Sequence, residues 1–496
     1  MAFGRVLMKP SSHLCTALPL LLLLACAIAS PAQTFNTLLS FDGSDGESPA
    51  YLASLVQGLD GNLYGTTVGG GAKGNGTVFK ITPAGTLTTL YSFCAQTNCI
   101  DGASPEATLL LATNGNFYGT TFLGGSSGCY SSDGTCGTVF KITPSGTLTT
   151  LHRFNGNDGG NPSGWLVQAA NGTFYGTTYG GGSSSNCGGG CGTVFKITPA
   201  GTLTTLYSFC AQTNCPDDAF PVGLVLATNG NFYGTTGGFS GNCSSGGCGT
   251  VFKITPSGTL TTLHRFDGTD GDEPPAGLVQ GTDGNFYGIT RGGGANGDGT
   301  VSKITPSGTL TTLHSFDITD GYLPDAILVQ GTDGNFYGTT FFGGSSNCSN
   351  GCGTVFKITP SGTFTTQHSF DGSDGSNSAA GLVQATNGAF YGATSSGGSS
   401  SNCSGGCGTI FSLSMGLAPF VETLPTSGKV ETTVKILGKN LRGVTGVSFN
   451  GTAATFTVVS NSYIKTSVPN GATTGFVTVA TPSRTLKSNK KFRVIP

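Results

Sequence analysis

GLVQGTDGNFYGITRGGGANGDGTVSKITPSGTLTTLHSF, residues 277–316, divides into four strand-like pieces. Gly277-Leu-Val-Gln280 comes first, and Thr282-Asp-Gly284 turns the chain, because Asp-Gly accepts the positive φ of a type I′ hairpin. Asn285-Phe-Tyr-Gly-Ile-Thr290 is the second piece, and a glycine-rich loop leads to Gly299-Thr-Val-Ser-Lys-Ile-Thr305. After the Pro306-Ser-Gly308 turn, Thr309 to Phe316 alternates largely apolar and polar, as a half-buried strand does. The Tyr-Gly pair of the second piece recurs with Tyr at 64, 118, 175, 233, 287, 337 and 391, which makes seven repeats. Four short antiparallel strands in a unit of roughly 40–60 residues is what a propeller blade requires.

The two ends of the array complement each other. The seventh repeat stops at Gly408-Thr-Ile-Phe-Ser-Leu413, without a fourth piece. Thr34 to Phe41 supplies one, followed by Asp42-Gly-Ser-Asp-Gly46 just as Phe370 is followed by Asp371-Gly-Ser-Asp-Gly375. An N-terminal strand that completes the last unit closes a ring and removes free sheet edges. A linear solenoid would need caps and has no use for such a split. The expected fold is all-β: a seven-bladed β-propeller of four-stranded blades spanning residues 33–415, closed by the N-terminal strand.

Composition agrees. Glycine supplies 84 of 496 residues and charged residues 9%, yet 36% are hydrophobic and the net charge is −2, so the chain is turn-rich rather than disordered. The charge is segregated. Residues 33–415 carry 10 Lys+Arg against 22 Asp+Glu, and 416–496 carry 10 against Glu422 and Glu431, so −12 faces +8. An acidic large domain excludes nucleic acid as its partner, since phosphate affinity needs Lys/Arg clusters. The basic tail reads as a solvated surface, with an anionic polymer or membrane surface as the alternative.

Residues 1–32 read as a secretory signal peptide: Arg5 and Lys9, an apolar run from Leu18 to Ile28, then Ala27-Ile28-Ala29 as the cleavage pattern. Leu23-Leu24-Ala25-Cys26 is a weak lipobox, so a lipoprotein acylated at Cys26 is the lesser alternative. No later stretch is long and apolar enough to span a bilayer. The expected location is extracellular or at the cell surface after Sec-type export, as a monomer.

Beyond Cys15 and Cys26, fourteen cysteines form seven close pairs: Cys94/Cys99, Cys129/Cys136, Cys187/Cys191, Cys210/Cys215, Cys243/Cys248, Cys348/Cys352 and Cys403/Cys407. In an exported chain these read as disulfides, whose main effect is to stiffen glycine-rich loops. Zinc is the alternative, but no His completes a tetrahedral set. The acidic turns offer Asp42/Asp45, Asp267/Asp270 and Asp371/Asp374, with Asn155/Asp158 and Asp317/Asp320 as variants. They read as turn chemistry, with calcium as the weaker alternative, since no bidentate Glu accompanies them. His152, His264, His314 and His368 share a register position with Tyr91 and Tyr207, which reads as outer-strand packing. Trp165 replaces a repeat glycine and reads as packing, with a ligand platform as the alternative. Gly124-Gly-Ser-Ser-Gly128 matches a hydrolase elbow only in letters, lacking the strand–turn–helix context. No cofactor motif and no catalytic constellation emerges.

The repeats resemble the GloVer tandem repeat of bacterial exported proteins, through Asp-Gly-Asn-Phe-Tyr-Gly-Thr-Thr and Gly-Thr-Val-Phe-Lys-Ile-Thr-Pro-x-Gly, both intact within 333–362. That resemblance implies export, no known enzymatic role and a variable C-terminal attachment module. The tail resembles an IPT/TIG Ig-like β-sandwich through Pro425-Thr-Ser-Gly428, Val434-Lys-Ile-Leu-Gly438, Val447-Ser-Phe-Asn-Gly451 and Thr474 to Val479, with Asn450-Gly451 suited to a hairpin turn. The expected function is a non-enzymatic binding or structural protein whose propeller loops meet a glycan, protein or matrix polymer. The alternative is an extracellular polysaccharide enzyme, whose site would lie in the central channel where blade-specific polar residues break the repeat.

Overall fold

The structure is a computed structural model, and it describes residues 1, 33–49, 54–129, 134–238 and 248–496. The signal-peptide segment and Cys243 lie outside the described residues. Within them the chain is all-β, with one 3-10 turn at Thr97–Cys99 and no α-helix. No helix there is long and apolar enough to cross a membrane.

Each repeat forms one antiparallel sheet, numbered 1 to 7 in the order of the repeat tyrosines. In sheet 5, Val279–Gln280, Phe286–Thr290, Thr300–Ile304 and Leu310–Ser315 pair in sequence order. The second strand is buried on nearly every residue, while the fourth is half-exposed. Burial is therefore greatest in the two middle strands and lowest in the fourth. The last sheet contains Val383–Gln384, Phe390–Thr394 and Thr409–Ser414, and Thr34–Ser40 pairs antiparallel with the last of these. Glu47–Pro49 adds a fifth strand to sheet 1.

Neighbouring sheets meet through the same contacts each time. Tyr of one stacks on Phe of the next: Tyr64/Phe117, Tyr118/Phe174, Tyr175/Phe232, Tyr233/Phe286, Tyr287/Phe336 and Tyr337/Phe390, with centroids 3.8–4.2 Å apart. Tyr391 of sheet 7 packs in one cluster with Leu63 of sheet 1. A backbone bond repeats with the same order. Ser104, Asn161, Phe220, Glu273, Leu323 and Asn377 donate N–H to the preceding sheet at Asn75, Cys136, Cys191, Cys248, Asp298 and Cys352, and Ser48 donates to Cys407. The series of contacts returns from the last sheet to the first.

A third set joins the inner hairpins. Gln57, Gln168, Gln280, Gln330 and Gln384 accept 2.9 Å bonds from the backbone N–H of Thr386, Thr113, Thr228, Thr282 and Thr332 in the preceding sheet. At the two remaining junctions Leu111 and Leu226 replace Gln. Polar partners are thus matched by polar ones, and Leu111 sits instead in an apolar cluster with Leu59.

One turn differs from its sequence reading. In Thr282-Asp-Gly284 only Gly284 has positive φ, at 85°, and its N–H bonds to Gly281 O at 2.9 Å. This is a three-residue loop with glycine in the left-handed position, not type I′. In the tail, Asn450 and Gly451 both have positive φ (47° and 91°) between the paired Phe449 and Thr452, which is type I′.

The tail is two facing sheets. Glu422–Leu424, Thr433–Leu437, Tyr463–Ser467 and Phe456–Val458 form one; Ser427–Gly428, Thr485–Val494, Gly475–Ala480, Gly446–Phe449 and Thr452–Ala454 form the other. Val434, Ile436, Phe449, Ile464, Val477 and Phe492 fill the space between them. The tail rests on the inner-hairpin turns. Ser462 Oγ donates to Leu59 O at 2.8 Å, Phe420 N–H to Thr386 O at 3.1 Å, and Arg493 to Thr228 O. These anchors lie on sheets 1, 7 and 4, so the tail reaches across that face.

Candidate functional site

The singled-out carboxylates are engaged within their own turns. Asp42 Oδ1 accepts from Ser44 N–H (2.9 Å), Ser44 Oγ (2.7 Å) and Asp45 N–H (3.2 Å), while Asp45 Oδ1 accepts from Asp42 N–H at 2.9 Å. Asp267/Asp270 and Asp371/Asp374 repeat this. The Ser44, Thr269 and Ser373 hydroxyls hold Asp42, Asp267 and Asp371 below the usual carboxylate range. Burial raises Asp45.

The histidines have a partner that the sequence reading did not name. His152, His264, His314 and His368 place Nε2 2.7–2.9 Å from Oδ2 of Asp158, Asp270, Asp320 and Asp374. Tyr91 and Tyr207 donate from OH to Asp101 and Asp217 at 2.8 and 2.9 Å. The position accepts His or Tyr because both reach the carboxylate of the following loop.

Six disulfides are formed among the described residues: Cys94–Cys99, Cys129–Cys136, Cys187–Cys191, Cys210–Cys215, Cys348–Cys352 and Cys403–Cys407. Cys248 is also disulfide-bonded. Many of these cysteines also contribute to the interior. Cys136, Cys187, Cys191, Cys210, Cys215, Cys248, Cys352 and Cys407 are buried. Both partners of Cys187–Cys191 and of Cys210–Cys215 lie in the apolar core with Phe209, Ala219 and Leu224. Sulfur is apolar enough to pack there, so these two bridges are core side chains as well as staples, whereas Cys94 and Cys99 are both half-exposed. The sulfurs of Cys187, Cys191 and Cys210 lie within 4.8 Å of one another, but all three are spent in disulfides and offer no thiolate.

Trp165 is half-buried against the first strands of sheets 4 and 5. Its ring lies where a Cβ on Gly223 or Gly277 would come within 3.0 and 2.9 Å, and Nε1 donates to Leu224 O at 2.9 Å. Those two glycines make room for the indole.

At the end of these strands away from the tail, the repeat pattern breaks. Seven equivalent non-glycine residues have φ of 50–63°: Ser48, Ser104, Asn161, Phe220, Glu273, Leu323 and Asn377. A left-handed backbone costs an L-residue about 1–2 kcal/mol, and the inter-sheet bonds described above offset it. Two residues further on, behind the proline, stand Glu106, Ser163 and Asp325. Asp325 is 4% exposed and accepts from Arg291 Nε. Burial raises its carboxyl, Arg291 opposes this, and Glu273 adds to it. Burial pushes Glu106 up to about 7. The Ser163 hydroxyl is buried without a partner. Tyr179 is 43% exposed and stacks on Phe220 at 4.6 Å, within the fields of Glu273 and Arg291.

Tyr179, Phe220, Glu273, Arg291 and Asp325 thus form one cluster. It offers a flat aromatic face beside a guanidinium and two carboxyls. The sequence reading named none of these residues. Their only signal was that each is unique at its repeat position.

The Gloeobacter/Verrucomicrobia repeat model matches residues 27–244 and 223–459, and the chain belongs to that family. No curated protein matches. Among solved structures, the extracellular domain described as a hybrid two component system from B. thetaiotaomicron is 12% identical, with TM-score 0.49 over 93% of this chain; the chain spans 58% of that domain. A gluconolactonase from Xanthomonas campestris is 15% identical, with TM-score 0.34 over 56% of this chain and 78% of its own. An oxidoreductase described as a glucose dehydrogenase, from Thermus thermophilus, is 14% identical, with TM-score 0.39 over 77% of this chain and 100% of its own.

These neighbours correct one expectation. The chain was expected to be non-enzymatic because no catalytic constellation emerged from the repeats. Enzymes stand among its structural neighbours, so this kind of fold gives no ground for excluding catalysis. The likeness is one of fold and assigns none of their activities.

Proposed function

We propose that the chain is an exported or cell-surface glycan-binding protein. In this reading residues 33–415 form a seven-bladed propeller closed by Thr34–Ser40, and 416–496 form an IPT/TIG Ig-like module that covers one face. The open end of the axis then meets the ligand. The observation that carries the reading is the cluster of Tyr179, Phe220, Glu273, Arg291 and Asp325. An exposed aromatic face suits the C–H face of a sugar ring, and a guanidinium with carboxyls suits its hydroxyls. The disulfides favour an oxidising compartment. No cofactor enters this reading, and calcium at the acidic turns is not required by it.

A glycan array, scored for both retention and reducing-end release, tests the proposal. Retention that drops about tenfold with Tyr179→Ala, at unchanged Tm, supports it. Retention indifferent to Tyr179, or no retention, contradicts it. Reducing-end release would favour a second reading, in which the bound glycan is also cleaved and a carboxyl exchanges the proton.

A further inference from the structure

The tail carries a concavity away from the cluster just described. Two turns, 439–442 and 481–484, wall a cavity of about 460 Å³ with Pro419 and Leu486. That volume falls within the roughly 300–1,000 Å³ of small-ligand sites. Lys439, Arg442 and Arg484 line it, together with Asn440 and Ser483, and no carboxylate does.

Both walls are fixed. Leu441 is fully buried and its N–H bonds to Asn461 O at 2.9 Å. Arg484 O accepts from Thr481 N–H (2.9 Å) and Thr481 Oγ1 (2.7 Å). The three cations are not neutralised: among the described residues none has an ion-pair partner. Three other tail cations are used elsewhere. Lys435 Nζ lies over Gly115, Arg493 bonds to Thr228 O, and Lys487 sits 3.8 Å from the Phe476 ring centroid. Of the two tail carboxyls, Glu422 has Lys490 as its charged neighbour.

We propose that this cavity binds an anionic sugar unit, carboxylated or sulfated. Two guanidiniums match planar or tetrahedral oxyanions bidentately. Asn440 and Ser483 suit sugar hydroxyls, and the Pro419, Pro482 and Leu486 surfaces suit a ring face. The site is independent of Tyr179 and would hold the chain on an acidic polymer while the open end engages its own ligand.

Calorimetry of the full exported chain at 0.15 M salt tests this with three probes: oligogalacturonate for carboxylate, a chondroitin sulfate hexasaccharide for sulfate, and a neutral cello-oligosaccharide as control. The expected result is binding of one or both anionic probes. It should weaken about tenfold or more in the Lys439→Ala/Arg442→Ala/Arg484→Ala variant, a loss of roughly 1.4 kcal/mol. The Lys429→Ala/Lys465→Ala/Lys491→Ala variant removes the same charge outside the cavity and should lose less than about threefold. Arg442→Lys/Arg484→Lys should weaken binding although charge is kept. Equal losses in the two triple variants, or binding of neither anionic probe, overturns the proposal. Tyr179→Ala leaves this binding unchanged, so failure here is separable from failure at the open end.

Discussion

At the scale of single residues, buried charge decides most. Asp325 lies in the interior and Arg291 is its counter-ion. Removing one partner of a buried pair strands the other, so Arg291→Ala should lower unfolding free energy by about 3 kcal/mol, and Arg291→Ala/Asp325→Ala by less. Urea midpoints of the three chains check this. Glu106 adds a pH dependence. Its folded carboxyl stands near 7 against an ordinary 4.5, so the folded chain binds the extra proton. Its contribution is full below pH about 4.5 and is lost as pH rises through about 7. Stability should therefore fall by roughly 1–2 kcal/mol across that window, and Glu106→Gln should flatten the fall. Identical slopes for both chains would refute the assignment. Such residues were hidden from the sequence for a physical reason. Repeat comparison highlights what recurs, whereas Glu106, Arg291 and Asp325 each occur once at their position and look like loop variation. The His–Asp pairs were missed differently: His314 was visible, but its acceptor Asp320 lies beyond a turn. The cysteine pairing was legible from spacing, but the burial of Cys215 was not, because the flanking Thr213, Asn214 and Pro216 read as an exposed loop.

At the scale of elements, the hairpins carry the inter-sheet joints. Gly308 has φ of 101°, and a Cβ there would meet Leu263 O of the preceding sheet at 2.5 Å. Gly284 has φ of 85° with nothing within 4 Å. Gly284→Ala should cost about 1 kcal/mol for backbone strain, and Gly308→Ala about 2–3 kcal/mol because the joint must also open. Thermal midpoints of the two variants check the order. The Gln–Thr joints make a second prediction. Gln330→Leu should cost about 1 kcal/mol, while Gln330→Leu with Thr282→Leu should recover part of it, imitating Leu111 and Leu59. Additive losses in the double-mutant cycle would contradict a direct coupling. Strand identity was legible because apolar alternation and the Pro-x-Gly and Asp-Gly turns repeat along the chain. The loop type at 282–284 was not, because the dipeptide suits both the two-residue and the three-residue hairpin.

At the scale of the whole molecule, the same joints recur from one sheet to the next and lead from sheet 7 back to sheet 1. Much of this was written in the ends of the array, where Phe41 fits the position of Phe370. Phe41 is fully buried in the structure, in the cluster that joins the two ends. A chain starting at residue 42 should lose several kcal/mol of stability and its single cooperative transition, measured by calorimetry. Unchanged cooperativity would argue against closure by that strand. The tail's position was not legible, because its anchors Ser462, Phe420 and Arg493 bond backbone carbonyls that carry no sequence signature. The tail covers the inner-hairpin turns, and the proposed function places the ligand at the opposite ends of the first strands. Hydrogen–deuterium exchange, with and without the glycan best retained on the array, tests the claim most directly. New protection in 176–182, 218–223, 272–276 and 322–326 is the predicted result. Protection confined to the covered turns 58–62, 112–116 and 385–389 would contradict it.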